Sequence, residues 1–384
     1  LYKPRTPFEV ADFSGGITDN VIAGAITQYA EGDNLLINNN KKVFMRPGSE
    51  IEDLINFLIP AGQQRIGSFL NHHDDILFRQ SARNFYFISG GTYNTLNGPT
   101  GNPALGIGTT TNYTSRAFWN NHSYVVSDSF CSPIKIYKDT TYKVRNAGLP
   151  ALATAPVVTA GAVGVNNYIY AFIYTYTYMV EGVTFKDLGP VTYVELNNSG
   201  VPNINPNPIT VIPVLANGTT ENWDTANVKV EIYRTESNQT ALNFIGMVTN
   251  GTTIFNDNIS DATAATGEPL YTEGDVVEND PPPPAKFIHI VGNRAYYGYV
   301  KENGEIFPNR IRQSITSDPD SAPVDFIDDV DDELMGLSSV QGTLIALCKR
   351  SIFRVDGFYD ELGRGGMQHL KISDTMGCVS NDSI

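Results

Sequence analysis

The stretch that decides the fold is KFIHIVGNRAYYGYV, residues Lys286–Val300. A run of β-branched and aromatic residues, Lys286–Val291, stops at Gly292-Asn293-Arg294, and Ala295–Val300 resumes the same texture at once. Gly and Asn between two such runs predict a β-hairpin. Arg310–Ile315 adds a further strand. Outward from this point the rhythm repeats. Ser115–Trp119 turns at Asn120-Asn121-His122 into Ser123–Ser127, and Pro133–Lys138 and Thr141–Val144 follow. Earlier still come Arg65–Asn71, Ile76–Gln80 and Asn84–Ser89; later come Leu334–Ser338, Thr343–Cys348 and Ser351–Val355. Sets of about four short strands recurring every roughly 40–50 residues predict a β-propeller. A single sheet leaves its faces bare, and neighbours stacked around an axis cover them.

Between the second and third sets the texture changes. Pro150–Pro156 is an Ala/Pro linker. Asn167–Val180 then alternates strictly, with Tyr168, Tyr170, Phe172, Tyr174, Tyr176 and Tyr178 on one strand face and Ile169, Ala171, Ile173 and Met179 on the other. Val191–Leu196, Ile209–Leu215, Asn227–Arg234, Leu242–Val248 and Thr252–Asp257 follow, and Asp280–Pro284 closes the region with a stiff polyproline linker. This predicts an inserted β-sandwich of the immunoglobulin or fibronectin type. The expected division is residues 1–149 as N-terminal segment and first blades, 150–280 as the inserted sandwich, and 281–384 as further blades. The fold class is therefore all-β: a propeller, incomplete within this chain, with an inserted sandwich.

Composition agrees. In 384 residues, 41% are apolar and only 17% charged, with 34 Gly and 22 Pro punctuating short apolar runs. No run approaches the ~18–20 apolar residues of a membrane helix, so no membrane span is expected. The net charge of −15 argues against a nucleic-acid clamp, which needs a basic surface to displace counterions. It is compatible with a conduit through which DNA passes without adhering. Cys131, Cys348 and Cys378 are few and widely spaced and spell neither a disulfide framework nor a zinc site, as in a protein folded in a reducing cytoplasm.

Several segments carry candidate chemistry. Gly161–Gly164 and Gly363-Arg364-Gly365-Gly366 lack the Lys-Ser/Thr ending of a phosphate loop and read as turns. His72-His73-Asp74-Asp75 reads as a solvated hairpin turn, because four adjacent residues do not converge on one ion. The sharpest charge feature is Asp318, Asp320, Asp325, Asp328, Asp329, Asp331, Asp332 and Glu333. Asp328, Asp329, Asp331 and Asp332 are calcium candidates, without the spacing of the twelve-residue calcium loop. The whole run reads first as a solvated acidic loop, a candidate for a channel lining or an interaction surface. No carboxylate pair stands out for glycoside hydrolysis. The tyrosine stripe reads as sandwich core before a stacking platform.

Particular residues also resemble a family. Asp12-Phe13-Ser14-Gly15-Gly16 and the stretch Asn34–Gly48, ending Arg46-Pro47-Gly48, look like the opening of tail proteins of short-tailed bacteriophages. Asn309–Ser314, Asp318-Pro319-Asp320, Met335-Gly336-Leu337, Gly342–Cys348 and Lys349–Gly357 resemble the propeller of the tail nozzle family, which includes tail tubular protein B and the podoviral muzzle proteins. The resemblance implies a virion structural protein, assembled in the bacterial host cytoplasm. Its implied partners are other copies in a hexamer, a tail adaptor or portal-associated ring, tail fibres, and genomic DNA passing through. It implies no catalytic residues and no cofactor. With four sets visible and no initiating Met, the chain is expected to be a portion of a longer polypeptide that supplies further blades. The alternative is a cell-surface glycan-binding protein or glycosidase built on a propeller.

Overall fold

The computed structural model describes residues 35–37, 43–45, 65–71, 76–81, 84–89, 92–99, 101, 113–219, 221–270, 279–359 and 365–378. The segments 12–16, 72–75 and 363–364 of the sequence argument lie outside them. Residues Leu1–Leu58 and Ile59–Ile384 form two compact units. In the first, β1 (Leu35–Ile37) and β2 (Val43–Met45) pair antiparallel.

Among the described residues, the second unit is all-β but for one short helix and carries four blades of propeller type. Blade 1 is β3 (Arg65–Asn71), β4 (Ile76–Ser81), β5 (Asn84–Ser89) and β6 (Thr92–Leu96); blade 2 is β7 (Thr114–Trp119), β8 (His122–Ser127), β9 (Ile134–Lys138) and β10 (Tyr142–Asn146). The chain then builds β11 (Val157–Val158), β12 (Val163–Val180), β13 (Val183–Leu188), β14 (Thr192–Ser199), β15 (Asn207–Thr210), β16 (Lys229–Thr235), β17 (Leu242–Thr249) and β18 (Phe255–Asp257), and the short helix α1 (Asp261–Ala264). Blade 3 is β19 (Ala285–Val291), β20 (Arg294–Glu302), β21 (Glu305–Gln313) and β22 (Ile327–Asp329); blade 4 is β23 (Leu334–Val340), β24 (Thr343–Cys348), β25 (Ile352–Tyr359) and β26 (Gly365–Ser373). Every blade is an antiparallel meander in sequence order.

Side-chain alternation explains the stacking. On β8, Val125 joins Phe85, Leu96, Ile134 and Ile136 toward blade 1, while Tyr124 and Val126 join Ile288, Tyr297 and Val300 toward blade 3. All six residues of β8 are consequently buried. On β20, Tyr297 packs on blade 2 and Tyr296 on blade 4. The first strands β7, β19 and β23 neighbour one another, as do the last strands β6 and β10, and β22 and β26. The Ser115 hydroxyl ties β7 to β19, accepting from the Ile288 N–H at 3.1 Å and donating to its carbonyl.

Blades 2 and 3 are thus in direct contact although more than a hundred residues of chain separate them. Those residues make two sheets, β11-β15-β18 and β13-β12-β16-β17 with β14 also on β12. One core joins them: Tyr170, Phe172, Tyr174, Val230 and Ile232 from the larger sheet meet Ile209 of the smaller. The tyrosine stripe is core, and Ala171 and Ile173 are covered too, by Tyr233 and its neighbours. Along one edge β12 pairs with β14 over Val163–Phe172 and with β13 over Thr175–Val180. The break falls at Gly189-Pro190, where proline offers no N–H to the ladder.

Several expectations need correction. The strand expected at Ile209–Leu215 ends at Thr210, because Val211 takes φ 56° and Pro213 follows. Gly164 is no turn but part of β12, where a Cβ would collide with the Ser199 carbonyl. Gly365 and Gly366 open β26 and are likewise not a turn. Asp328 and Asp329 belong to strand β22, not to a loop. Among the described residues, no helix is long and apolar enough to cross a membrane.

Candidate functional site

The most unusual chemistry lies where the two-sheet unit meets blades 2 and 3. Ile134, Ile136 and Val144 face blade 1, so alternation turns Lys135 and Arg145 to the other side of the blade. Register then places Arg145, Lys135 and Tyr124 in one row across β10, β9 and β8. Two cations side by side on a covered sheet face repel each other and lose their water. Lys135 is 0% and Arg145 2% exposed. The fold answers with carboxylates from two other segments.

Lys135 Nζ donates to Asp187 Oδ2 at 2.8 Å, to Asp320 Oδ2 at 2.6 Å and to Tyr178 Oη at 2.9 Å, which uses its three protons. Arg145 Nη2 donates to Asp187 Oδ2 at 2.5 Å, and its guanidinium lies 3.9 and 4.1 Å from the ring centres of Tyr176 and Tyr178. Asp187 comes from β13 and Asp320 from the loop between β21 and β22, so the cluster joins three parts of the chain. Asp320 Oδ1 accepts the Gly148 N–H at 3.0 Å, and Tyr124 Oη donates to Oδ2 at 3.2 Å. Gly148 needs to be glycine: its φ is +71° and a Cβ would meet the Asp320 carbonyl at 2.6 Å.

His122 extends the network. Its Nδ1 sits 2.7 Å from the Asn120 carbonyl, which only accepts, so Nδ1 carries the proton. Nε2 then accepts from Tyr178 Oη at 3.0 Å, and Tyr178 accepts from Lys135. The ring is neutral; burial, with Lys135 beside it, lowers its pKa to about 4. Burial and Arg145 work against the charge on Lys135, but Asp187 and Asp320 outweigh them and its pKa rises. Burial opposes the charge on Asp187 as well, and Arg145 and Lys135 override it and hold that pKa down. Asp318 is different. Burial, then repulsion from Asp320 and Asp187, raise its pKa to about 7. A cleft of about 530 Å³ opens over this cluster, lined by Trp119, His122, Tyr178, Phe185, Ser317 and Asp318 among others.

The acidic run is dispersed rather than gathered. Asp318 and Asp320 are not solvated: Asp320 is 6% exposed and Asp318 half-buried. Asp325 is exposed. Asp328 Oδ1 is 2.8 Å from His369 Nδ1; Asp329 takes a two-pronged grip from Arg310 at 2.7 and 2.8 Å; Asp331 meets Lys371 at 3.2 Å. Asp332 accepts from the Arg350 N–H at 2.7 Å and from Ser351 Oγ, and Glu333 accepts from Lys349 at 3.1 Å. The four calcium candidates therefore turn to four different partners. Among the described residues, no three His, Cys, Asp or Glu side chains are placed to hold one metal ion. Cys131, Cys348 and Cys378 are not joined in disulfides.

Lys135, Arg145 and Asp187 were missed by sequence reading. One signal was available: in PIKIYK the lysine alternates with isoleucines in a strand of a propeller, where both faces are covered. Nothing in the sequence marked Asp187 as its partner.

No family model matches the chain, and no curated protein does. Among solved structures, Sqt1 of Saccharomyces cerevisiae is 9% identical, with 81% of this chain covering 86% of that one at a TM-score of 0.20. Hsv2 of Kluyveromyces marxianus is 6% identical, with 80% covering 97% at 0.17. BamB of Moraxella catarrhalis is 8% identical, with 75% covering 81% at 0.17. Scores this low carry no argument; the blade assignment rests on the strand order and the stacked faces of the chain itself.

Proposed function

We propose that this chain is a non-enzymatic structural component of a bacteriophage tail, forming part of an oligomeric nozzle that retains the genome and conducts it during ejection. The supporting observation is the Lys135–Arg145–Asp187–Asp320 cluster, which clamps the two-sheet unit to two blades with buried ion pairs. Breaking one such pair leaves an uncompensated charge and costs about 3–5 kcal/mol, so the modules are held as one mechanical piece. That suits a part loaded by a passing polymer under pressure. Lys135, Arg145, Asp187 and Asp320 are occupied with each other, not poised around a reacting centre. The resemblance to nozzle proteins supplies the rest: a homohexamer docked on an adaptor or portal-associated ring, with the inserted unit of immunoglobulin type placed to meet fibres. The net charge of −15 repels DNA from whatever wall it passes. The mass of the native assembly, by mass photometry with imaging of the particles, tests this reading. A six-fold ring with an axial hole is the expected result. A stable monomer overturns it in favour of a propeller that binds or cleaves glycans at a cell surface.

A further inference from the structure

The cleft over the ion cluster has a charge left over. Lys135 and Arg145 are matched by Asp187 and Asp320. Asp318 is a third carboxylate, and its hydrogen bonds come from neutral donors, the Asp320 N–H at 3.0 Å and Ser321 Oγ at 2.9 Å. The cleft's own lysine, Lys186, is drawn 2.8 Å from Glu231, and His122 is neutral for the reason given above. Trp119, Tyr178 and Phe185 supply aromatic wall beside the neutral Asn120 and Ser317, with Phe185 stacked on Tyr178 at 5.6 Å between ring centres. One surplus carboxylate beside aromatic faces, on an acidic protein, is complementary to a cation with a carbon stem.

We propose that this cleft binds an organic ammonium or guanidinium group, with the cation seated on Asp318 and its stem against Trp119 and Phe185. A small metal cation is a poorer occupant, since the cleft gathers no set of oxygens around one point. The same chemistry is offered by a free polyamine and by a lysine or arginine side chain of another protein.

The test is a calorimetric titration of the full chain at pH 8 with n-butylammonium and with n-butanol. Saturable binding of the ammonium, at least about tenfold tighter than the alcohol, is expected, as for a hydrogen bond made by a charged pair. Affinity should fall as the pH drops below about 7, because Asp318 takes up its proton there. Asp318→Asn should weaken binding by about tenfold or more. Trp119→Ala, outside the ion cluster, should weaken it by its own, smaller factor and keeps the test open if the first variant does not fold. Equal binding of ammonium and alcohol, no binding of either, or a folded Asp318→Asn that binds as before would overturn the proposal. Spermidine against N-acetyl-lysine-N-methylamide separates the two sources: the tighter ligand identifies free polyamine or partner side chain.

Discussion

The contact between blades 2 and 3 and the contact between those blades and the inserted unit solve the same problem with different proportions of apolar packing and charge. The first is mainly apolar: Tyr124, Val126, Ile288, Tyr297 and Val300 interlock, and the Lys135–Asp320 pair closes one margin of it. The apolar packing is non-directional, and each fully buried side chain contributes about 1.5–3 kcal/mol. The second adds, to the packing of Tyr137 on Tyr178, a buried charge cluster whose attraction is largely spent on desolvation. Repeating units tolerate a generic adhesive because each face meets a similar face. A unique insertion needs a contact that is satisfied in one orientation only, and three acceptors around one ammonium provide that.

This contrast can be broken at several points. The largest effect is expected from Lys135→Met, which leaves Asp187 and Asp320 facing each other and should cost about 3–5 kcal/mol by chemical denaturation at pH 7. Adding Asp187→Asn to it should recover part of the loss, since the remaining charges then balance. Next comes Ile288→Ala on the apolar side, at about 2–4 kcal/mol, with no dependence on pH.

A subtler effect concerns protons. Asp318 has a folded pKa of about 7 against the 3.8 of an unperturbed aspartate, so between those values the folded state holds a proton the unfolded chain has released. Stability from this group is fully present below pH 4 and is lost as the pH rises to 7. His122 runs the other way: with a folded pKa of about 4 against 6.5, its contribution is present above pH 6.5 and lost as the pH falls to 4. The two windows overlap and their slopes oppose. Relative to the wild type, Asp318→Asn should therefore gain stability as pH rises from 4 to 7, and His122→Asn should lose it, each by on the order of 1 kcal/mol after screening. Thermal unfolding at pH 5 and pH 8 reads both signs; equal slopes in the two variants would contradict the assignment. The smallest effect is expected from Lys349→Ala. Its partner Glu333 and the lysine itself are both exposed, and such pairs contribute about 0.2–1 kcal/mol, less at high salt.

How legible was this in the sequence? Strands with strict alternation and Gly/Asn turns were plain: Arg65–Asn71 and Asn84–Ser89 coincide with β3 and β5. The outermost strands of blades 1, 3 and 4 were not. Thr92–Leu96, Ile327–Asp329 and Gly365–Ser373 were passed over, because an edge strand covers little apolar surface and so shows little apolar pattern. Val183–Leu188 was hidden for the same reason; five of its six residues lie outside the buried class. The cluster was less legible still. Asp320 was noticed, but as part of a solvated run. Its partner Lys135 lies 185 residues away, and spacing along the chain says nothing about which carboxylate meets which cation across three segments.

The central claim is that the ion cluster fixes the inserted unit on the blades beyond what the packing of Tyr137 against Tyr178 supplies. Native-state hydrogen exchange of the wild type and Lys135→Met tests it most directly. The account predicts that the substitution lowers protection on β13 around Asp187 and at Gly148, while amides on β8 and β20 between blades 2 and 3 keep most of theirs. Unchanged protection at Gly148 and β13, or an equal loss across β8 and β20, would contradict it.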